Sequence, residues 1–345
     1  MARLLLVLLT TLCLGRAAEP VTLTGRAMGT TWSAKFFAAP PPAPALDPAL
    51  VTARLAATLE HLETLFSTYR PDSALSRFNA SASTDWYPVS PELARVAHEA
   101  RRISDLTGGA FDVTLDPLIR LWGFGPAGRR HTLPSDPEIA TARDRVDYRR
   151  LSARLAPPAL RKSAAELSAD FSSLAKGFAA DSLSDVLTAL GAPDHFVQIG
   201  GDIQTAGSHP WRTGIASPSA PTAPVALPVP APPALAAVVA LSGLALSTSG
   251  DSHNFLTVAG RHYGHILDPR TGRPVAGSLA SVSVVHPSCA TSSALATALF
   301  VLGADAGFAL ATREHLAALF LVRDGPGLVP RATPEFARLS SSAPL

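Results

Sequence analysis

Cysteine is nearly absent from this 345-residue chain, which has two, Cys13 and Cys289. Cys13 falls inside an N-terminal run that reads as a removable leader. The mature chain then keeps Cys289 alone, and no intrachain disulfide can form even in an oxidising compartment. Net charge is lacking as well. Arg3 and Arg16 leave with the leader, so the 29 basic residues fall to 27, equal to the 27 acidic ones. A balanced chain without a basic cluster has no electrostatic reason to bind nucleic acid or an anionic membrane. Beyond the leader no segment reads as a membrane helix. Also missing are a G-x-G-x-x-G turn after a strand, a Walker phosphate loop, H-E-x-x-H and G-x-S-x-G. The chemistry must be read from other clusters.

The leader has a basic Arg3, an apolar run from Leu4 to Leu14 broken only by Thr10, Thr11 and Cys13, and a small-x-small site at Gly15-Arg16-Ala17. This pattern predicts a signal peptide over residues 1–17 and export to the periplasm, with association to the inner membrane left open. The run is too short to span a bilayer comfortably. Cys13 does not follow the small residue that a lipoprotein box requires, so no lipid anchor is expected. Residues 18–345, in a chain that is 47% apolar, suffice for one large core.

Two proline-alanine stretches, at 38–48 and about 217–234, predict surface loops, because proline lacks the donor that an interior helix or central strand needs. The second reads as an insertion into one sheet region, between Trp211 to Ala216 and Ala237 to Ser247. Asp47-Pro48 and Ser90-Pro91 predict helix starts with apolar residues recurring three or four apart after each. Further helices are expected from about Ser173 to Leu190 and from Ser292 to Leu302. Strands are expected at Phe196 to Ile199, at Phe255 to Val258 paired with His262 to Leu267, at Ser281 to Val285 and at Ala318 to Val322. Strands and helices mix without a βαβ period, which favours an α+β fold.

Four clusters carry chemistry. In Asp170 to Gly177 a strand end turns into a helix whose first turn can hold a diphosphate. Lys176 there can neutralise phosphate or be a solvated surface lysine. Asp170 can take a ribose or nucleobase donor, act as a base, or cap the helix. Gly200-Gly201-Asp202 demands a tight turn and allows close ligand approach. Ser247 to Asp251, with His265 to Pro269 beyond it, offers hydroxyls and a histidine near strand ends. Ser293 and Thr297 share a helix face that suits hard-oxygen ligation of magnesium or hydroxyls bonding back into their own helix.

The order of blocks along the chain is more specific than any one of them. Met28-Gly29-Thr30, Ser67 to Pro71 with Ser76 to Asn79, Gly109 to Thr114, Leu121 to Gly125, Asp170 to Asp181, Gly200 to Asp202, Ser247 to Asp251 and Tyr263 to Pro269 resemble the successive blocks of the ApbE family, the FAD:protein FMN transferases. The resemblance implies a single large α+β domain with a T-fold-like core of antiparallel sheet and packed helices. It implies FAD as donor substrate, magnesium as cofactor, and transfer of FMN to a threonine with release of AMP. The acceptor would be a flavoprotein or a membrane redox-complex subunit. Met28, Tyr69, Ala110, Phe111, Asp112, Asp170, Lys176 and His265 match FAD-contacting positions, with Lys176, Asp170 and His265 as the catalytic candidates. Ser173, Ser293 and Thr297 match the metal positions. Ser293 stands where most relatives carry aspartate, which removes the one charged ligand. FAD hydrolysis to FMN and AMP, or binding without catalysis, are the alternative activities.

Overall fold

The computed structural model describes residues 19–37, 46–126, 128, 130, 132–218, 234–251, 254–258 and 260–340. The expected leader and most of both proline-alanine stretches lie outside them. Strand β1 (Val21–Ala27) alternates, with Thr22, Thr24 and Arg26 exposed on one face and Leu23 and Ala27 packed against the core on the other. It pairs with β2 (Thr30–Phe36) across Met28-Gly29, both at positive φ, 51° and 71°. Two left-handed residues match a tight turn to the twist of its strands, although a methionine there is strained.

Six more strands complete the sheet: β3 (His195–Ile199), β4 (Asp202–Ala206), β5 (Ala245–Gly250), β6 (Leu279–His286), β7 (Ala317–Asp324) and β8 (Gly327–Ala332). All eight lie side by side in chain order with every neighbour antiparallel. The α+β expectation therefore holds as one large antiparallel sheet with helices in its connections.

The principal helices are α1 (Pro48–Phe66), α2 (Pro91–Leu106), α3 (Ser172–Ala189), α4 (Cys289–Arg313) and a short α5 (Pro334–Leu339), with shorter ones at Ala74–Ala80, Asp116–Trp122 and Asp136–Arg143. The Asp47 carboxylate accepts from the Ala49 amide and the Ser90 hydroxyl from the Leu93 amide, so both expected caps form. Helices α1, α3 and α4 pack on one sheet face and α2 packs on α3 and α4, so that Leu55, Leu93, Leu183 and Leu299 share one core with Ala34, Val197 and Val284. Each such leucine contributes about 2 kcal/mol by leaving water. The other face, with Phe196, Ile203 and Leu246, lies under a hairpin (Trp211–Ala216 with Leu235–Leu241) and Phe336 of α5.

Three expectations change. Leu235–Leu241 belongs to that hairpin, and the chain turns at Gly243 (φ 65°) before Ala245–Gly250 enters the main sheet. The strand after Gly260 ends at Gly264, because Asp268 folds its own turn: its carbonyl accepts from Gly272 at 2.8 Å and Leu267–Asp268 pairs with Arg273–Pro274. Helix α4 begins at Cys289 and resumes after a break at Gly303 (φ 84°) to reach Arg313. It is long and apolar enough to cross a membrane, but that apolarity is directed inward, between the sheet and α3.

Candidate active site

The start of α3 is built around two buried aspartates. Asp170 accepts from the Ser172 amide at 2.7 Å, so it caps the helix, and its own amide donates to the Val113 carbonyl at 2.7 Å. That bond ties the lysine-bearing helix to the block holding Ala110, Phe111 and Asp112, all buried. Asp112 accepts from the amide and hydroxyl of Thr114 (2.7 and 2.6 Å) and from the Tyr148 amide (2.9 Å). Asn79 clasps the segment before Asp170 through both amide atoms, at 2.9 Å to the Ala169 N–H and 2.8 Å to its carbonyl. Burial pushes the Asp112 and Asp170 carboxyls above the ordinary carboxylate range, against the opposing hydrogen bonds. A fold does not gain stability from buried charge itself, which makes the pair candidate site residues beside their structural hydrogen bonds.

One turn along α3, the Lys176 ammonium donates to the Ser172 carbonyl at 3.2 Å, which folds it back over the helix start. Gly200 (φ 59°) closes the turn between β3 and β4, and a Cβ built there would lie 3.3 Å from the Thr30 hydroxyl and 3.9 Å from Lys176 Cδ. The glycine turn, the Met28-Gly29 turn and the lysine thus meet at one end of the sheet. Sequence alone left the Gly200-Gly201 pair as an ordinary turn or an approach point; the structure puts Gly200 beside Lys176 and leaves Gly201 open.

Ser293 and Thr297 lie on the facing helix α4. Thr297 donates to the Ser293 carbonyl at 3.1 Å, the helix-internal bond considered above, and also meets the Ser249 hydroxyl of β5 at 3.1 Å. Helices α3 and α4 touch because Gly177 has no side chain: a Cβ would lie 2.5 Å from the Cys289 carbonyl oxygen. Four residues on, Asp181 accepts from the Ser288 hydroxyl (2.9 Å) and from the Cys289 and Ala290 amides (2.8 and 3.1 Å), capping α4. Gly177 and Asp181 therefore set the spacing between the lysine helix, with Ser173 at its start, and the hydroxyl helix.

No group of three His, Cys, Asp or Glu side chains suited to a metal occurs among the described residues. Asp251, the acid that follows β5, is engaged by Arg323 at 2.7 Å. The oxygen donors Ser249, Ser293 and Thr297 are chemically suited to magnesium but uncharged, so they fit an ion whose negative ligands come from a substrate diphosphate.

Met28 donates its amide to the Glu63 carboxylate of α1, which fixes the strained turn. Tyr69 is 69% exposed, available for stacking on a flat ligand. His265 is placed next to the Leu121 to Gly125 block: Nδ1 lies 3.0 Å from the Asn254 carbonyl and the ring meets Phe124 edge-on at 6.4 Å. Its hairpin reaches the end of β5 through Gly264, which packs on Asp251. The partners seen for His265, Asn254 and Phe124, are distinct from those seen for Asp170 and Lys176, so no shared hydrogen bond links the three candidates among the described residues. The cap from Asp181, the Gly177 approach and Ser249 escaped sequence reasoning as partners of α4, because each depends on packing between distant segments.

Residues 28–320 match the model of the ApbE family. A protein of Vibrio cholerae named FAD:protein FMN transferase is 36% identical over 325 residues, 93% of each chain. One of Escherichia coli K12 with the same name is 32% identical, covering 93% of this chain and 89% of the relative. Among solved structures, the flavin transferase ApbE of Vibrio cholerae superposes with a TM-score of 0.82 at 34% identity, covering 93% of this chain and 99% of that one. The apo flavinyl transferase ApbE of Pseudomonas stutzeri gives 0.81 at 36% identity, covering 93% and 96%. The order of blocks, the site they build at one end of the sheet and these likenesses agree: the chain belongs to the ApbE family.

Proposed function

We propose that this protein is an FAD:protein FMN transferase, which cleaves FAD and attaches its FMN half to a hydroxyl of an acceptor protein. The observation that carries the reading is the meeting of Lys176, the Gly200 turn and the start of α3 opposite the hydroxyls of α4. A cation, a backbone without Cβ and a helix N-terminus together suit a diphosphate. Asp112 and Asp170 take donors from the nucleotide, and Tyr69 stacks on a ring system. Met28, Ala110 and Phe111 complete the FAD contacts and Ser173 the metal positions.

The acceptor is a threonine hydroxyl. Its oxygen forms a bond to the phosphorus of the FMN half as the bond to the bridging oxygen breaks, and that oxygen leaves with AMP. The threonine proton passes to Asp170 or His265. Lys176 stabilises the charge that builds on the phosphoryl oxygens. Ser173, Ser293 and Thr297 would hold magnesium, which supplies further charge neutralisation at the diphosphate. The leader at residues 1–17 supports export to the periplasm, where exported flavoproteins or membrane redox-complex subunits would be the acceptors.

Replacing Lys176 with alanine should lower AMP release from FAD by about 100- to 1,000-fold. Unimpaired release by that variant would overturn its role. AMP appearing with FMN in solution and never on an acceptor would show a hydrolase instead.

A further inference from the structure

On the face of the sheet away from the helices, the hairpin reaches β3 at Phe196, through Trp211, and leaves β1 and the Gln198 end of β3 uncovered. A half-open groove of about 450 Å³ lies there, lined by Thr24, Arg26, Thr31, Ser33, Gln198 and Gly200. Alternation puts Thr24 and Arg26 on one side of β1, paired with Ser33 and Thr31 of β2, and Ser33 pairs with Gln198 of β3. At its end stands Gly200, held by Gln198 Nε2 on its carbonyl (3.0 Å) and by the Thr31 carbonyl on its amide (3.0 Å). This is the same residue whose missing side chain would meet Lys176. The groove therefore ends beside Lys176 of the proposed transfer centre.

Arg26 is the one charged side chain lining it, and it forms no ion pair among the described residues. Lys35, on the same face, lies over the Phe196 ring at 5.7 Å and adds a second positive charge. No acid lines the groove. From this we infer that the groove docks the acceptor: a short extended segment beside the target threonine, carrying aspartate or glutamate that meets Arg26, with the threonine delivered past Gly200 to Lys176. The volume is that of a small-ligand pocket, so it takes a few residues and not a domain. The inference rests on the transferase reading.

The test is to incubate the protein with FAD, magnesium and a randomised peptide library with a fixed central threonine, and to sequence the peptides that gain FMN. The wild type should enrich acids near the threonine. Arg26→Glu turns attraction into repulsion and should cut labelling of acid-flanked peptides about five- to tenfold, shifting preference toward lysine and arginine. FAD affinity and melting temperature should not move. Ser33→Trp, which fills the groove, should reduce labelling of all peptides with FAD affinity kept. Labelled peptides without charge preference, a preference unchanged in Arg26→Glu, or full labelling by Ser33→Trp would each overturn the groove and leave the transferase standing. No labelled peptide in any sample, with AMP still released, would instead overturn the transferase reading and the groove with it.

Discussion

Gly177→Ala is the smallest change that should separate the two halves of the site. The new Cβ would sit 2.5 Å from the Cys289 carbonyl oxygen and 2.9 Å from Ala290 Cα, where ordinary contact begins at 3.4 Å. Both obstacles are backbone atoms at the start of α4, so no side chain can swing aside. The helices must part by nearly 1 Å, or α4 must tilt on its Asp181 cap. Alanine gains about 1 kcal/mol of helix propensity over glycine, and overpacking costs about 1–3 kcal/mol. The net is a small loss of stability, a few degrees in melting temperature. Activity should suffer far more, because Lys176 sits on one helix and Ser293 and Thr297 on the other; a misplacement of this size is worth about 100-fold. Differential scanning fluorimetry and AMP release from FAD measure the two effects. A variant that melts no lower than the wild type and releases AMP at the full rate would refute the tight approach of α3 to α4.

Asp170→Asn should abolish transfer while leaving the protein at least as stable at neutral pH. The folded carboxyl is raised by burial, so its contribution is fully present below the unfolded value near 3.8 and lost as pH rises through the folded one. Urea midpoints of wild type and variant should diverge on that rise. His195 shows the opposite sign: burial lowers its imidazole below 6.5, so stability is complete above 6.5 and falls as the solution is acidified, and His195→Gln should flatten that part of the urea profile. Ser293→Asp restores a charged oxygen facing the proposed diphosphate and should lower the half-saturating magnesium concentration for AMP release at least tenfold.

Much of this fold is legible in short-range chemistry. Asp47-Pro48 and Ser90-Pro91 announce α1 and α2 because a cap and a fixed proline φ act within one turn. Lys176 near a helix start is readable for the same reason. The pairing of distant segments is not. Ser249 opposite Thr297 depends on how β5 lies on α4. Asp181 looks like a polar residue within a helix until the Ser288 turn docks on it. The first strand, rich in threonine, announces itself weakly because only one face is buried. Short strands such as Leu151–Leu155 and Pro158–Lys162 give too few residues for a period to show. Asp112, readable as a donor-taking carboxylate, gains its fixed orientation from the Tyr148 amide, which no local pattern signals.

The most direct measurement is to incubate the protein with FAD, magnesium and a threonine-bearing acceptor flavoprotein, following acceptor mass and AMP together. A mass gain equal to FMN, matched by AMP and lost when the acceptor threonine is replaced, is the expected result. AMP without any gain in acceptor mass, or a gain that survives loss of that threonine, would contradict the proposed transfer.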